Sequence, residues 1–413
     1  MTREAQRIDA PLAPYRVLDL CGELGWLCGK ILADLGADVV KVEPPGGDPG
    51  RHQAPLLEGV GLAWLAFNVG KRSIVLDLEH EADRELLLRL VERADFLLES
   101  FTPGCLDGLG LGFEQLKACN PRLVMASITP YGQLAPNAGA PASDLEIMAA
   151  GGPLWLTGDP DMPPVRVSLP QAHAWTGAYA SMGVLTAHHH RQLTGVGQHV
   201  DVSAQAAMVP ILVYAPMFWS MLGEVPSRSG PDLLGRNIEG AALRNVWPCA
   251  DGYVCFALYG GAAGRRSNRD LAEWMRAEGK LPADLRDFDW DSFEPIRAPK
   301  ELVEHIQDEL APFFASLTKA EFSKGCATRR VLGYVVATAA DIAGDAQLEH
   351  RQVWQDIVDP GLAKSLRYPS GWARFGEAQL RITRPVPRPG EHQAEVLAEL
   401  ELAELELEGP QPA

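Results

Sequence analysis

Between Pro163 and Ser203 the chain reads PPVRVSLPQAHAWTGAYASMGVLTAHHHRQLTGVGQHVDVS, with the imidazole of His173 in its first third. An imidazole at such a place could attack a carbonyl or carry a proton. The plainer alternative is that it fills space and hydrogen-bonds locally. Further on, His188, His189 and His190 invite a metal reading. Consecutive helical side chains point about 100° apart, so the three cannot chelate one ion. No Cys or carboxylate set stands at ligand spacing beside them, and no metal site is expected. Lys71 and Arg72 precede a strand-like run, where two cations could clamp a phosphate or simply be solvated.

Such residues need a scaffold, and its pattern starts at Tyr15. Tyr15–Leu20 is a short apolar strand, Leu27–Leu35 has helical spacing, and Val39–Glu43 is a second buried strand stopped by Pro44-Pro45-Gly46-Gly47. Strand, helix, strand at this spacing predicts a parallel pair with a right-handed crossover. The pattern repeats as strand Arg72–Leu78, helix Glu81–Ala94 and strand Asp95–Glu99, then helix Phe113–Cys119 and strand Leu123–Ile128. Three such units predict an α/β doubly wound sheet, with ligands at the carboxyl ends of its strands. Cys21-Gly22-Glu23-Leu24-Gly25 only loosely matches a dinucleotide fingerprint.

The 413 residues carry a net charge of −17, which argues against nucleic acid or an anionic membrane as partner. Seven cysteines without a CxxC pair fit reduced, mostly buried thiols and a cytoplasmic protein. Met1–Leu12 is polar and charged, so no secretory leader is expected there. Val202–Gly223 has no charge but carries Pro210 and Pro216; a buried or interface helix is expected rather than a span. Composition turns richer in charge and aromatics after Gly223, with RNIEG at 236–240. Glu395–Glu408 reads as an acidic helix with a solvated face, followed by GPQPA.

Several motifs together resemble family III CoA-transferases, a group that includes α-methylacyl-CoA racemases. They are VLDL…LADLGADVVKVEPPGGDPGR from Val17 to Arg51, the stretch Asn68–Leu78, Glu99–Gly104, Asn120–Gln133, TGVGQHVDVS ending at Ser203, and Gly390-Glu391-His392 with Val396-Leu397. The resemblance implies a Rossmann-like large domain built from both chain ends, 1–223 and 327–413, with a smaller α/β domain at 224–326. It also implies two subunits interlocked like rings. Coenzyme A or an acyl-CoA is then a substrate, with no tightly bound cofactor. Asp77, Leu78, Glu79, His80, Ser100 and Phe101 fall where the family lines its CoA cleft, and Lys71 and Arg72 become candidates for its phosphates.

Aligned on Pro170, Gly177, Thr194, Gly195, Gly197, Gln198 and Val200–Ser203, the family's acyl-carrying Asp falls on His173. A carboxylate accepts an acyl group as a mixed anhydride that a second carboxylate or thiolate reopens. An imidazole would give an acylimidazole, which is prone to hydrolysis. Thr102 and Gly108 stand where the family has arginines, and Ser143 stands where the racemases have a His. Asp144 remains and is expected to act as a structural cap. The pattern implies a non-catalytic subunit of a heteromeric CoA-transferase acting on a donor such as succinyl-CoA and an acid such as benzylsuccinate. Its partner is a homologous chain that keeps the Asp. The alternatives are a stand-alone transferase or thioesterase using His173, and an acyl-CoA-binding protein without chemistry.

Overall fold

The computed structural model describes residues 10–134, 136–236, 238–376 and 378–408. The GPQPA tail, Asn237 of RNIEG and the side chains of Leu402, Leu405 and Leu407 lie outside the described residues. Two compact units emerge: one holds the chain up to Gly152, Val167–Leu212 and everything from Ala346 on, and the other holds Pro153–Arg166 and Val213–Asp345. The second unit thus starts before 224 and ends after 326. Strand pairing explains its later end, because Gly333–Val335 pairs with Gly252–Phe256 (Val335 opposite Val254). Residues 153–166 join it through Gly230, whose N–H donates to the Gly158 carbonyl at 3.1 Å.

The first unit is built on six parallel strands: β1 (Arg16–Leu20), β2 (Asp38–Glu43), β3 (Arg72–Val75), β4 (Phe96–Glu99), β5 (Val124–Thr129) and β6 (His199–Ser203). They lie in the order β3-β2-β1-β4-β5-β6. Alternate side chains serve opposite faces, as the two-residue period of a strand requires. Val17, Val39, Phe96 and Leu98 pack with Cys28 and Leu32 of α1 (Trp26–Asp34) and with Ala180, Val184 and Ala187 further along. Leu18, Val40, Ile74 and Leu97 pack on the other side with Leu87 and Leu90 of α2 (Glu81–Val91) and Leu116 of α3 (Phe113–Cys119). Both faces are covered, which is why the strands read as nearly continuous apolar runs.

The C-terminal helix Gln393–Glu408 has a buried side besides its solvated one. Val396 and Leu400, four apart and so on one side, are buried in the second of these faces. Glu399 binds Arg72 at 3.0 Å and Arg16 at 2.6 Å. The acids of this helix are partners for basic residues of the sheet as well as a wet surface.

The second unit carries a three-stranded antiparallel sheet, Val246–Cys249, Gly252–Phe256 and Gly333–Val335. Its core is aromatic, with Trp247, Phe256, Trp274, Phe313, Phe314 and Phe322 buried. Helix Tyr214–Leu222 buries none of its residues: Tyr214 is 74% exposed, Trp219 64% and Met221 72%. It is therefore not a buried helix in the single chain. Among the described residues no single helix is long and apolar enough to cross a membrane.

Candidate active site

The chain runs outward from β1 to β2 and β3, then returns to place β4 on the other side of β1. The carboxyl ends of β1 and β4 therefore flank the topological switch, the usual ligand position in an open α/β sheet. The Gly22 N–H after β1 donates to Ser100 Oγ after β4 at 2.7 Å, tying the two loops together. Two cavities open here, of about 510 Å³ and 380 Å³, and they share Gly22, Glu23 and Phe101 on their walls.

His173 lines the smaller cavity, with Ser143 and Thr102. It is the second residue of α5 (Ala172–Thr194), and residues 163–171 before it form no helix or strand. A helix leaves its first N–H groups without internal partners. Asp144 supplies one, its Oδ1 accepting the His173 N–H at 3.2 Å. Ser143 is meanwhile the cap of α4 (Asp144–Ala150), where its own N–H donates to Glu146 Oε2 at 2.9 Å. The His173 ring faces Glu23, with Nδ1 3.5 Å from Oε1. That is long for a hydrogen bond, and Nδ1 is buried with no closer acceptor among the described residues. The contact is best described as electrostatic.

Asp77, Leu78, Glu79 and Phe101 line the larger cavity, and Ser100 the smaller. His80 sits outside both walls, its Nδ1 2.8 Å from Asp77 Oδ2. Lys71 and Arg72 correct the clamp expectation. Lys71 is fully buried, and its ammonium donates to Asp19 Oδ2 (2.8 Å), Asn68 Oδ1 (2.9 Å) and the Trp26 carbonyl (3.1 Å). Arg72 is 1% exposed and pairs with Asp38 and Glu399. Burial favours a neutral carboxyl at Asp19, but Lys71 and Lys41 overcome it and hold the group below the usual carboxylate range. Both cations are thus committed to partners inside the fold.

The one basic residue on the wall of the larger cavity is Lys41, among the described residues, and it stands 3.5 Å from Asp48 and 3.7 Å from Asp19. Five carboxylates share that wall: Glu23, Glu43, Asp48, Asp77 and Glu79. Arg51 engages Glu43 at 2.6 Å, but the wall as a whole is acidic. Gly108 closes the short helix Cys105–Gly108, and a Cβ there would meet nothing within 4 Å, so a long side chain has room. Glu23 and Lys41 are the residues that sequence reasoning passed over. Their signal was positional, since Glu23 follows the first strand and Lys41 lies near the end of the second.

The remaining motif residues explain themselves by packing. A Cβ on Gly197 would lie 1.9 Å from the Leu123 carbonyl oxygen, and one on Gly177 would lie 3.1 Å from the Cys28 nitrogen. Only glycine lets the chain pass this close to Leu123 at position 197 and to α1 at position 177. His188 stacks edge-on against Tyr15 (4.5 Å) and Phe96 (5.4 Å), and its Nδ1 faces Arg191 at 2.6 Å. Among the described residues no three His, Cys, Asp or Glu side chains are placed to hold a metal.

Residues 12–393 match the model of CoA-transferase family III. A succinyl-CoA:(R)-benzylsuccinate CoA-transferase subunit, BbsE of Thauera aromatica, is 38% identical over 395 residues, covering 93% of each chain. A succinyl-CoA:mesaconate CoA-transferase of Haloarcula hispanica is 34% identical over 408 residues, covering 94% of this chain and 96% of its own. The crystal structure of a CAIB/BAIF family protein from Brucella suis superposes with a TM-score of 0.82 at 30% identity, covering 95% of this chain and 100% of the other. Six parallel strands, a ligand-sized opening at their switch point and likeness along nearly the whole length agree on one assignment. The chain belongs to CoA-transferase family III.

Proposed function

We propose that this chain is the non-catalytic subunit of a heteromeric CoA-transferase that moves CoA from a donor such as succinyl-CoA to a carboxylic acid such as benzylsuccinate. The observation that carries the reading is His173, an imidazole facing Glu23 at the switch point, where the family's acyl-carrying carboxylate is expected. In the transfer, a carboxylate oxygen attacks the thioester carbonyl, the carbon–sulfur bond breaks, and CoA leaves as thiolate, with the acyl group now held as a mixed anhydride. The thiolate then attacks the enzyme's own carbonyl and frees the donor acid, and the acceptor carboxylate completes the exchange in reverse. An imidazole adduct offers water an easier opening and loses the acyl group.

The acidic wall supports the same reading. CoA is a polyanion, and five carboxylates against one lysine on the larger cavity oppose its phosphates. Exposed Tyr214, Trp219, Met221 and Leu222 form an apolar stretch that a partner would cover. The partner proposed is a homologous chain with an Asp at the His173 position. The test is co-expression of the two and a transferase assay of each chain and of the pair. The pair should turn over succinyl-CoA and the lone chain should not. Substantial turnover by the lone chain would overturn the proposal.

A further inference from the structure

A cavity of about 650 Å³ lies in the C-terminal part of the first unit, apart from the switch-point openings. Arg351, Arg374 and Arg381 line it together with Gln352 and Gln379, and among the described residues no carboxylate does. None of the three arginines pairs with an acid among the described residues. Arg374 donates to the His350 carbonyl at 3.2 Å, and the Arg381 Nε to Gln379 Oε1 at 3.2 Å. In a chain of net charge −17, three guanidiniums around one cavity with no carboxylate among its described lining residues are against the general trend. Their mutual repulsion is relieved when an anion enters, and the guanidinium fork matches carboxylate and phosphate oxygens two at a time.

The floor is built rather than loose. Gln355 donates its Nε2 to the Ile382 carbonyl at 2.7 Å and accepts the Ile382 N–H at 2.9 Å. Ser370 and Leu380 beside it are buried. Gln352 is held at φ 57°, a left-handed conformation unusual for a residue with a side chain, and such strain gathers at binding sites. Trp354 lines the same cavity and carries a buried indole N–H with no acceptor among the described residues. The three guanidiniums and this indole N–H bring donors to one wall, and the volume is that of a small-molecule site.

We infer that this cavity binds a small ligand with two or more anionic groups, a dicarboxylate or a diphosphate. The site is separate from the transferase cleft and does not depend on the subunit's role there. Calorimetry on the purified full-length chain, in whatever assembly it forms, should use succinate, inorganic pyrophosphate and acetate at low salt. One of the two dianions should bind at least about tenfold more tightly than acetate, and the tighter one identifies the anionic group. The Arg351→Gln/Arg381→Gln double variant should weaken it at least tenfold, whereas Arg266→Gln on the second unit should leave it unchanged. Urea unfolding checks that both variants are folded, and an Arg381→Lys variant should recover part of the binding. Equal binding of acetate and the dianions, absence of saturable binding, or undiminished affinity in the folded double variant would each overturn the inference.

Discussion

Replacing Lys71 by Met separates a structural lysine from a phosphate-binding one. The ammonium has three N–H groups, and three acceptors surround it at 2.8–3.1 Å: Asp19, Asn68 and the Trp26 carbonyl. The Lys71 and Asp19 side chains are both wholly buried. Breaking a buried pair by removing one partner costs about 3–5 kcal/mol, because a charge is left uncompensated. Lys41 remains 3.7 Å from Asp19 and softens the loss, which places the expected value near the lower end. Urea unfolding followed by tryptophan fluorescence should show the midpoint falling by an amount equivalent to about 3 kcal/mol, with a melting point lower by on the order of 10 °C. CoA affinity of whatever fraction stays folded should hardly change. A variant of normal stability with sharply weaker CoA binding would refute this reasoning and restore the phosphate clamp.

Gly197→Ala should destabilise the first unit by about 2–4 kcal/mol, since the added Cβ would sit 1.9 Å from the Leu123 carbonyl oxygen; an unshifted urea midpoint would contradict the packing. Asp19 has its folded-state pKa depressed, so its contribution is present above the unfolded value of about 3.9 and is lost as pH falls through the folded one. The urea midpoint should accordingly fall on acidification below about pH 4, and a midpoint that rises over that window would count against the pairing. Thr102→Arg with Gly108→Arg should strengthen CoA binding by about one to two decades per contact made, because each charge-assisted bond is worth roughly 1.5–3 kcal/mol and Gly108 has open space around it. Calorimetry showing no gain in the folded double variant would argue that these positions do not face the nucleotide.

Much of the first unit was legible because parallel strands buried on both faces read as continuous apolar runs. The expected strand Val39–Glu43 is Asp38–Glu43, and the expected helix Phe113–Cys119 is found as such. The buried side of the C-terminal helix was hidden because charge is so dense in it that two buried positions, Val396 and Leu400, are swamped by glutamates that pair with distant arginines. Lys71 and Arg72 misled for a related reason. Sequence gives the charge of a residue but not the partner 52 positions away that Lys71 finds in Asp19. Among the described residues Val202–Gly223 forms no single helix of span length, and whether it is covered depends on chains outside this one. His173 was legible as a departure from a motif; its neighbour Glu23 was not, because only the fold brings residues 150 apart to 3.5 Å.

Where the acyl group rests during transfer is the question on which the proposed role stands or falls. The purified heteromer, incubated with isotopically labelled succinyl-CoA, quenched in acid and digested, can be mapped by mass spectrometry chain by chain. Label is expected on the partner's carboxylate and none on this chain, with turnover unchanged by His173→Ala. Label on the His173 peptide, with transfer lost by more than about 100-fold in that variant (roughly 2.7 kcal/mol of transition-state stabilisation), would make this chain catalytic.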